Sequence, residues 1–131
     1  MGKYGLKGFT KQSIHILKPW LEYDGGSYKS YAKVPAKALL EVAKHLPERN
    51  LEDRQNFSPM LKDFLHVAEI CSDATFDVYI TTEERADERV TVEGVRFPSD
   101  RKDVERFLLD SCIIEPNITE KNDGIVRMWW D

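Results

Sequence analysis

The side chains of this chain that could do chemistry are three histidines, two cysteines and a surplus of acids and lysines. Glu41 and His45 stand four residues apart, a spacing that suits a surface ion pair or two ligands of a metal ion. No third ligand accompanies them, so the surface pair is the expectation. His66 shares the polar side of a helical stretch with Lys62, Glu69 and Asp73. His15, between Ile14 and Ile16, has no assignable base or nucleophile beside it. Cys71 and Cys112 each close an apolar stripe, where cysteine acts as a small buried hydrophobe. A reactive thiolate would need exposure and nearby positive charge. Glu83, Glu84, Asp87 and Glu88 surround one turn. Paired acids do acid/base work when burial raises one of them, but in a charged hairpin turn these are expected to be solvated and ionised. The phosphate-loop, calcium-loop, GxSxG and HExxH patterns are absent. No catalytic residue, metal ligand set or cofactor is assigned.

Three weaker groupings remain. Lysines and aromatics interleave over residues 1–33, the arrangement that neutralises phosphates and stacks bases along a single strand. Within it, Lys29, Tyr31 and Lys33 would share one strand face and are the candidate nucleic-acid or anion contacts. The competing expectation is that the aromatics are core and the lysines keep an edge soluble. The missing arginines in this region weigh against nucleic acid. Second, Asp53, Arg54, Gln55 and Asn56 form a polar connector, where Asp53 would act as a base and Arg54 as an anion clamp; helix capping and solvation explain them equally well. Third, Trp129 and Trp130 are adjacent and must face opposite sides of a strand. If helices cover one face only, Trp129 joins Ile125 and Tyr79 on the other, making Tyr79 and Trp129 candidate interface aromatics.

The elements that must position these residues are read from period and punctuation. Residues 1–12 show no period and are expected to be a loose arm. Ile14 and Ile16 alternate over Ser13 to Leu17, which predicts a short strand, with Pro19 arguing against a helix there. Asp24-Gly25-Gly26 between aromatic-rich runs predicts a hairpin. Pro35 opens a first helix with Ala36, Leu39, Leu40, Ala43 and Leu46 on one side, ended by Pro47. Ser58-Pro59 opens a second, with Leu61, Phe64, Leu65, Ala68 and Cys71 as its stripe. Phe76, Val78 and Ile80 then alternate as a strand. Val90 and Val92 continue the pattern, which slips one step at Glu93-Gly94 and resumes at Val95 and Phe97, predicting a β-bulge. A third helix carries Val104, Phe107, Leu108 and Cys112. A last hairpin turns at Asp123-Gly124, flanked by Ile114 to Glu120 and Ile125 to Trp130.

The order predicts an α+β two-layer domain: an antiparallel sheet built from hairpins, three helices on one face, and a ββαββ unit over 74–131 following a hairpin and two helices over 13–73. The whole chain, 1–131, is one domain in this reading. The 131 residues carry a net charge of −4. Residues 1–46 hold eight lysines against three acids, a net of +5, and residues 47–131 hold eleven Lys or Arg against twenty acids, a net of −9. No apolar stretch resembles a signal or a membrane span, so a cytoplasmic protein without membrane contact is expected. The favoured function is a small non-enzymatic binding or regulatory module acting through protein–protein contact, with an unspecified protein or a second copy as partner. The alternatives are a nucleic-acid-associated protein and an enzyme whose site is assembled only in space.

Overall fold

The computed structural model describes residues 2–131. Its elements are α1 (Thr10–Leu17), β1 (Leu21–Asp24), β2 (Tyr28–Pro35), α2 (Ala36–Ala43), α3 (Leu61–Ile70), β3 (Thr75–Thr81), β4 (Arg89–Pro98), α4 (Lys102–Ser111), β5 (Ile118–Asn122) and β6 (Ile125–Trp129). The strands form one antiparallel sheet in the order β1-β2-β3-β4-β6-β5. The architecture is α+β in two layers, as the pattern of hairpins and amphipathic stretches predicts, and the ββαββ unit is present as β3-β4-α4-β5-β6.

Alternation decides which face is the core. Phe76, Val78, Ile80, Val90, Val92, Val95, Phe97, Val126, Met128 and Trp130 point to the helix side and are buried. They pack against Leu17, Leu39, Val42, Phe64, Leu65 and Val67 from the helices. Phe64 meets both Phe76 and Trp130 edge-on, with ring centroids 6.2 and 6.0 Å apart, the geometry aromatic quadrupoles favour. The Trp130 indole N–H donates to Ile114 O at 2.9 Å, so its one polar atom is satisfied inside the core. Cys71 is buried and free.

Four helices are present rather than three. Ser13 to Leu17, read as a strand, belongs to α1. Three residues of alternation cannot separate the two periods, and the buried side of α1 is Thr10, Ser13 and Leu17, a helical spacing that two hydroxyl residues disguise. Pro19 lies beyond the helix in a 3-10 turn, Lys18–Trp20, so it ends α1 instead of forbidding it. Residues 2–12 are also not loose. Lys3 N donates to Ala86 O at 2.8 Å, and the N–H groups of Gly8 and Thr10 and the Thr10 hydroxyl all donate to Glu88. Glu88, expected in a solvated turn, is 0% exposed. Its carboxylate takes up orphan donors at the start of α1, where a negative charge is favourable.

Other boundaries shift for local reasons. Pro35 is the last residue of β2, and α2 begins at Ala36. The Ser58 hydroxyl is spent on Pro59 O and on the Gln55 N–H, so α3 opens at Leu61, with the Asp63 carboxylate accepting from Met60 N–H at 2.9 Å. Ile113 N donates to Phe57 O at 2.9 Å, which delays β5 to Ile118. Asp123 and Gly124 have φ of 51° and 76°, the two left-handed residues of the tight turn expected there.

Candidate functional site

Three strands bulge at one place. In β1 the pairing passes from Leu21↔Tyr31 to Tyr23↔Ser30, leaving Glu22 extra. In β2 it passes from Tyr31↔Val78 to Val34↔Phe76, so Ala32 and Lys33 together oppose Asp77, and Lys33 takes φ 55°. In β4 it passes from Val92↔Val78 to Gly94↔Asp77, leaving Glu93 extra. Each bulge adds a residue to the sheet face opposite the helices, because β-branched and aromatic residues hold the helix side in register. Asp77 therefore stands between two bulged neighbours. The phase slip at Glu93-Gly94 was visible in the sequence. The bulges at Glu22 and Ala32-Lys33 were not, since neither breaks an apolar alternation.

The result is a cleft of about 190 Å³ on that face, lined by Glu22, Ser30, Asp77, Glu93, Arg96, Arg127 and Trp129, with Tyr31 and Ala32 also bordering it. Asp77 accepts from Arg96 Nη1 at 3.0 Å and from the Lys33 backbone N–H at 3.3 Å. Arg127 Nη1 donates to Glu120 at 3.2 Å, while its buried Nε has no partner among the described residues. A Cβ on Gly94 would lie 2.7 Å from Asp77 Oδ2 and 2.8 Å from Trp129 Cδ1. Only glycine lets the carboxylate and the indole close over this strand.

Glu93 differs from its neighbours. Burial pushes its carboxyl up to about 7, the Asp77 charge adds to this, hydrogen bonding by Trp129 opposes it, and the charges of Asp131 and Glu22 reinforce it. Its proton is therefore exchangeable near neutral pH, while no cation makes an ion pair with it among the described residues. The lining includes neither histidine nor cysteine.

Beside the cleft, Tyr79 stacks on Tyr28 and Tyr28 on Tyr23, with centroids 5.8 and 5.6 Å apart. Tyr23 is 54% exposed. Tyr79 and Trp129 thus lie on the same face, as alternation implies, but in separate groups: Tyr79 continues the tyrosine ladder, and Trp129 covers Gly94.

The other sequence candidates are placed differently. Lys29 and Tyr31 share the helix-side face, opposite Ile80 and Val78, but the β2 bulge takes Lys33 out of their alternation. Tyr31 is 2% exposed, too enclosed for a base to stack on. Lys29 is bound to Asp24 at 2.7 Å. Lys11, His15, Lys18, Lys29 and Tyr31 do line a groove between α1 and the first hairpin, but Lys11 is also paired, with Glu83 at 3.3 Å. The polar connector acts as a fastening. Asp53 accepts from Tyr4 Oη at 2.6 Å, Lys3 Nζ at 3.2 Å and Arg54 N at 2.8 Å. Burial works to raise its carboxyl, and these hydrogen bonds with the Arg89 charge outweigh it, holding the group below its ordinary value. Gln55 accepts from Thr91 Oγ1 at 3.0 Å. Arg54 Nη1 donates to Ser58 O at 3.4 Å, and Asn56 occupies a left-handed turn position with φ 55°. His66 lies against the Phe107 ring at 4.7 Å. Among the described residues, no three His, Cys, Asp or Glu side chains are grouped to hold a metal, and no helix is long and apolar enough to cross a membrane.

No family model matches this chain, and neither a curated protein nor a solved structure matches it.

Proposed function

We propose that this chain is a non-enzymatic binding module that takes a basic segment of a partner protein along the sheet face opposite its helices. The observation that carries this reading is the convergence of three bulges on one acid-lined cleft beside a tyrosine ladder. A bulge gives up ladder hydrogen bonds, and bulges recur where a side chain must be re-aimed at a site. Three of them at one place argue for selection on that face rather than on the core. The ladder supplies rigid amphipathic area of the kind that protein interfaces favour.

Charge names the partner. Glu22, Asp77, Glu93 and Asp131 surround the cleft, while Arg96 is held by Asp77 and Arg127 by Glu120. The surplus is negative, and complementary charge suits a lysine- or arginine-bearing segment. A buried Cys71 and a partly buried Cys112, both free, fit a reducing, cytoplasmic setting.

The test is selection of a displayed random-peptide library on the full chain, with amide chemical shifts mapping where the enriched peptides bind. Peptides rich in Lys and Arg that shift Tyr28, Tyr79 and Trp129, and bind at least about tenfold more weakly to the Y28A variant, are the expected result. Enriched peptides that map to the helix side, or no enrichment at all, overturn the reading.

A further inference from the structure

Inside the cleft, one carboxylate already seats a guanidinium and another does not. Arg96 lies on Asp77 at 3.0 Å. Glu93 stands on the neighbouring bulge, at the same cleft wall, with the Trp129 indole beside it and no ion-pair partner among the described residues. Arg127 lines the cleft too, but its Nη1 is turned to Glu120. A carboxylate beside an indole supplies the two groups a planar guanidinium uses, one paired bidentate in its plane and a ring to lie against. An ammonium would satisfy only the charge.

We infer that the cleft is an arginine pocket, in which the guanidinium of a partner's arginine pairs with Glu93 and stacks on Trp129. This deepens the binding-module reading and rests on it. Gly94 sets the pocket's shape, since any side chain there would separate Trp129 from Asp77.

The charged and titratable groups that face Glu93 are Glu22 from β1, Asp77 from β3, Arg96 from β4, Arg127 from β6 and Asp131 after it. The acids among them discourage ionisation of Glu93 in the empty pocket. An incoming guanidinium reverses that balance, so binding expels a proton and strengthens as pH rises. With Glu93 titrating at about 7, its ionised fraction grows about tenfold from pH 6 to pH 8, and affinity should follow.

The experiment titrates the whole chain with N-acetyl-arginine methylamide, its lysine counterpart and the neutral citrulline counterpart, reading the Trp129 indole N–H and the Gly94 amide by NMR. The arginine compound should shift both signals and bind several-fold tighter at pH 8 than at pH 6. The lysine compound should bind more weakly and the citrulline compound should leave both signals in place. In E93Q, with amide dispersion showing that the fold is kept, the arginine response should fall at least tenfold. An equal response to citrulline, an undiminished response in E93Q, or no shift at Trp129 and Gly94 would sink the pocket. The two proposals fail separately. Peptides that map to the sheet face yet bind E93Q as well as the parent chain overturn the arginine pocket and leave the binding module standing.

Discussion

Gly94 and Asp77 oppose each other across the β3–β4 ladder, and a Cβ at Gly94 would come within 2.7 Å of the Asp77 carboxylate. Arg96 holds that carboxylate from the same strand, two residues on. One backbone position thus governs both the bulge and the only salt-bridged acid of the cleft wall described above. Gly94→Ala should cost about 1–3 kcal/mol, the usual range for overpacking a closed site. Urea denaturation measures it, and a stability equal to the parent's would show that Trp129 and Asp77 move apart freely.

Glu88 is the anchor of the N-terminal segment. Removing its carboxylate leaves the Gly8 and Thr10 donors facing an apolar interior, so Glu88→Ala should lose about 3 kcal/mol or more. Glu88→Gln keeps the volume but presents an amide N–H₂ on one side to those donors, and should lose about 1–2 kcal/mol. Hydrogen exchange should localise the loss to α1 before the sheet. Uniform loss of protection across the sheet and α1 would count against a local anchor.

Glu93 sets a pH dependence with a definite sign. Its folded value, about 7, lies above the ordinary 4.5, so the folded chain binds the proton more tightly than the unfolded chain. Its ionisation therefore destabilises the fold above pH 7, and this penalty fades as pH falls towards 4.5. Glu93→Gln removes it. Because Glu93 keeps some solvent contact, screening limits the effect, and the variant should be about 1–2 kcal/mol more stable than the parent at pH 8. Near pH 4.5 the two should converge. Denaturation midpoints across pH 4.5–8 check this, and parallel profiles for the two proteins would contradict it.

Asn50 closes an edge. Its side chain donates to Val90 O at 2.7 Å and accepts from Val90 N at 3.0 Å, pairing like a strand with the part of β4 that β6 does not reach. Asn50→Ala should cost about 2–3 kcal/mol, because two buried backbone groups lose their partners. It should also promote association through the bared edge. Light scattering on the purified variant tests the second point, and a strictly monomeric variant of parent stability would refute both.

The core and the order of most elements were legible in the chain itself. Apolar residues at helical spacing from Ala36 and Leu61, alternation from Phe76, and Asp-Gly turns are local signals, and burial of one face enforces each of them. The Glu93-Gly94 slip belongs to the same class, because the apolar positions on both sides of it report the extra residue. What lay beyond reach was decided by distant partners. Thr10 and Ser13 turn inward, where Thr10 meets Glu88, 78 residues away, so α1 carries no readable stripe. Ala32 and Lys33 bulge only because Asp77 and its neighbours fix the register across the strand. Glu22, Asp77, Glu93, Arg96 and Trp129 come from four strands, and no spacing in the chain links them. Sequence alone determined a one-sided sheet with helices on its apolar face, since burying apolar surface depends on pattern. Tertiary structure alone decided which acids meet on the other face and that Asp77, not the part-buried Glu93, holds a guanidinium there. Charge and burial act through space, and the bulges that set those distances depend on pairing between strands.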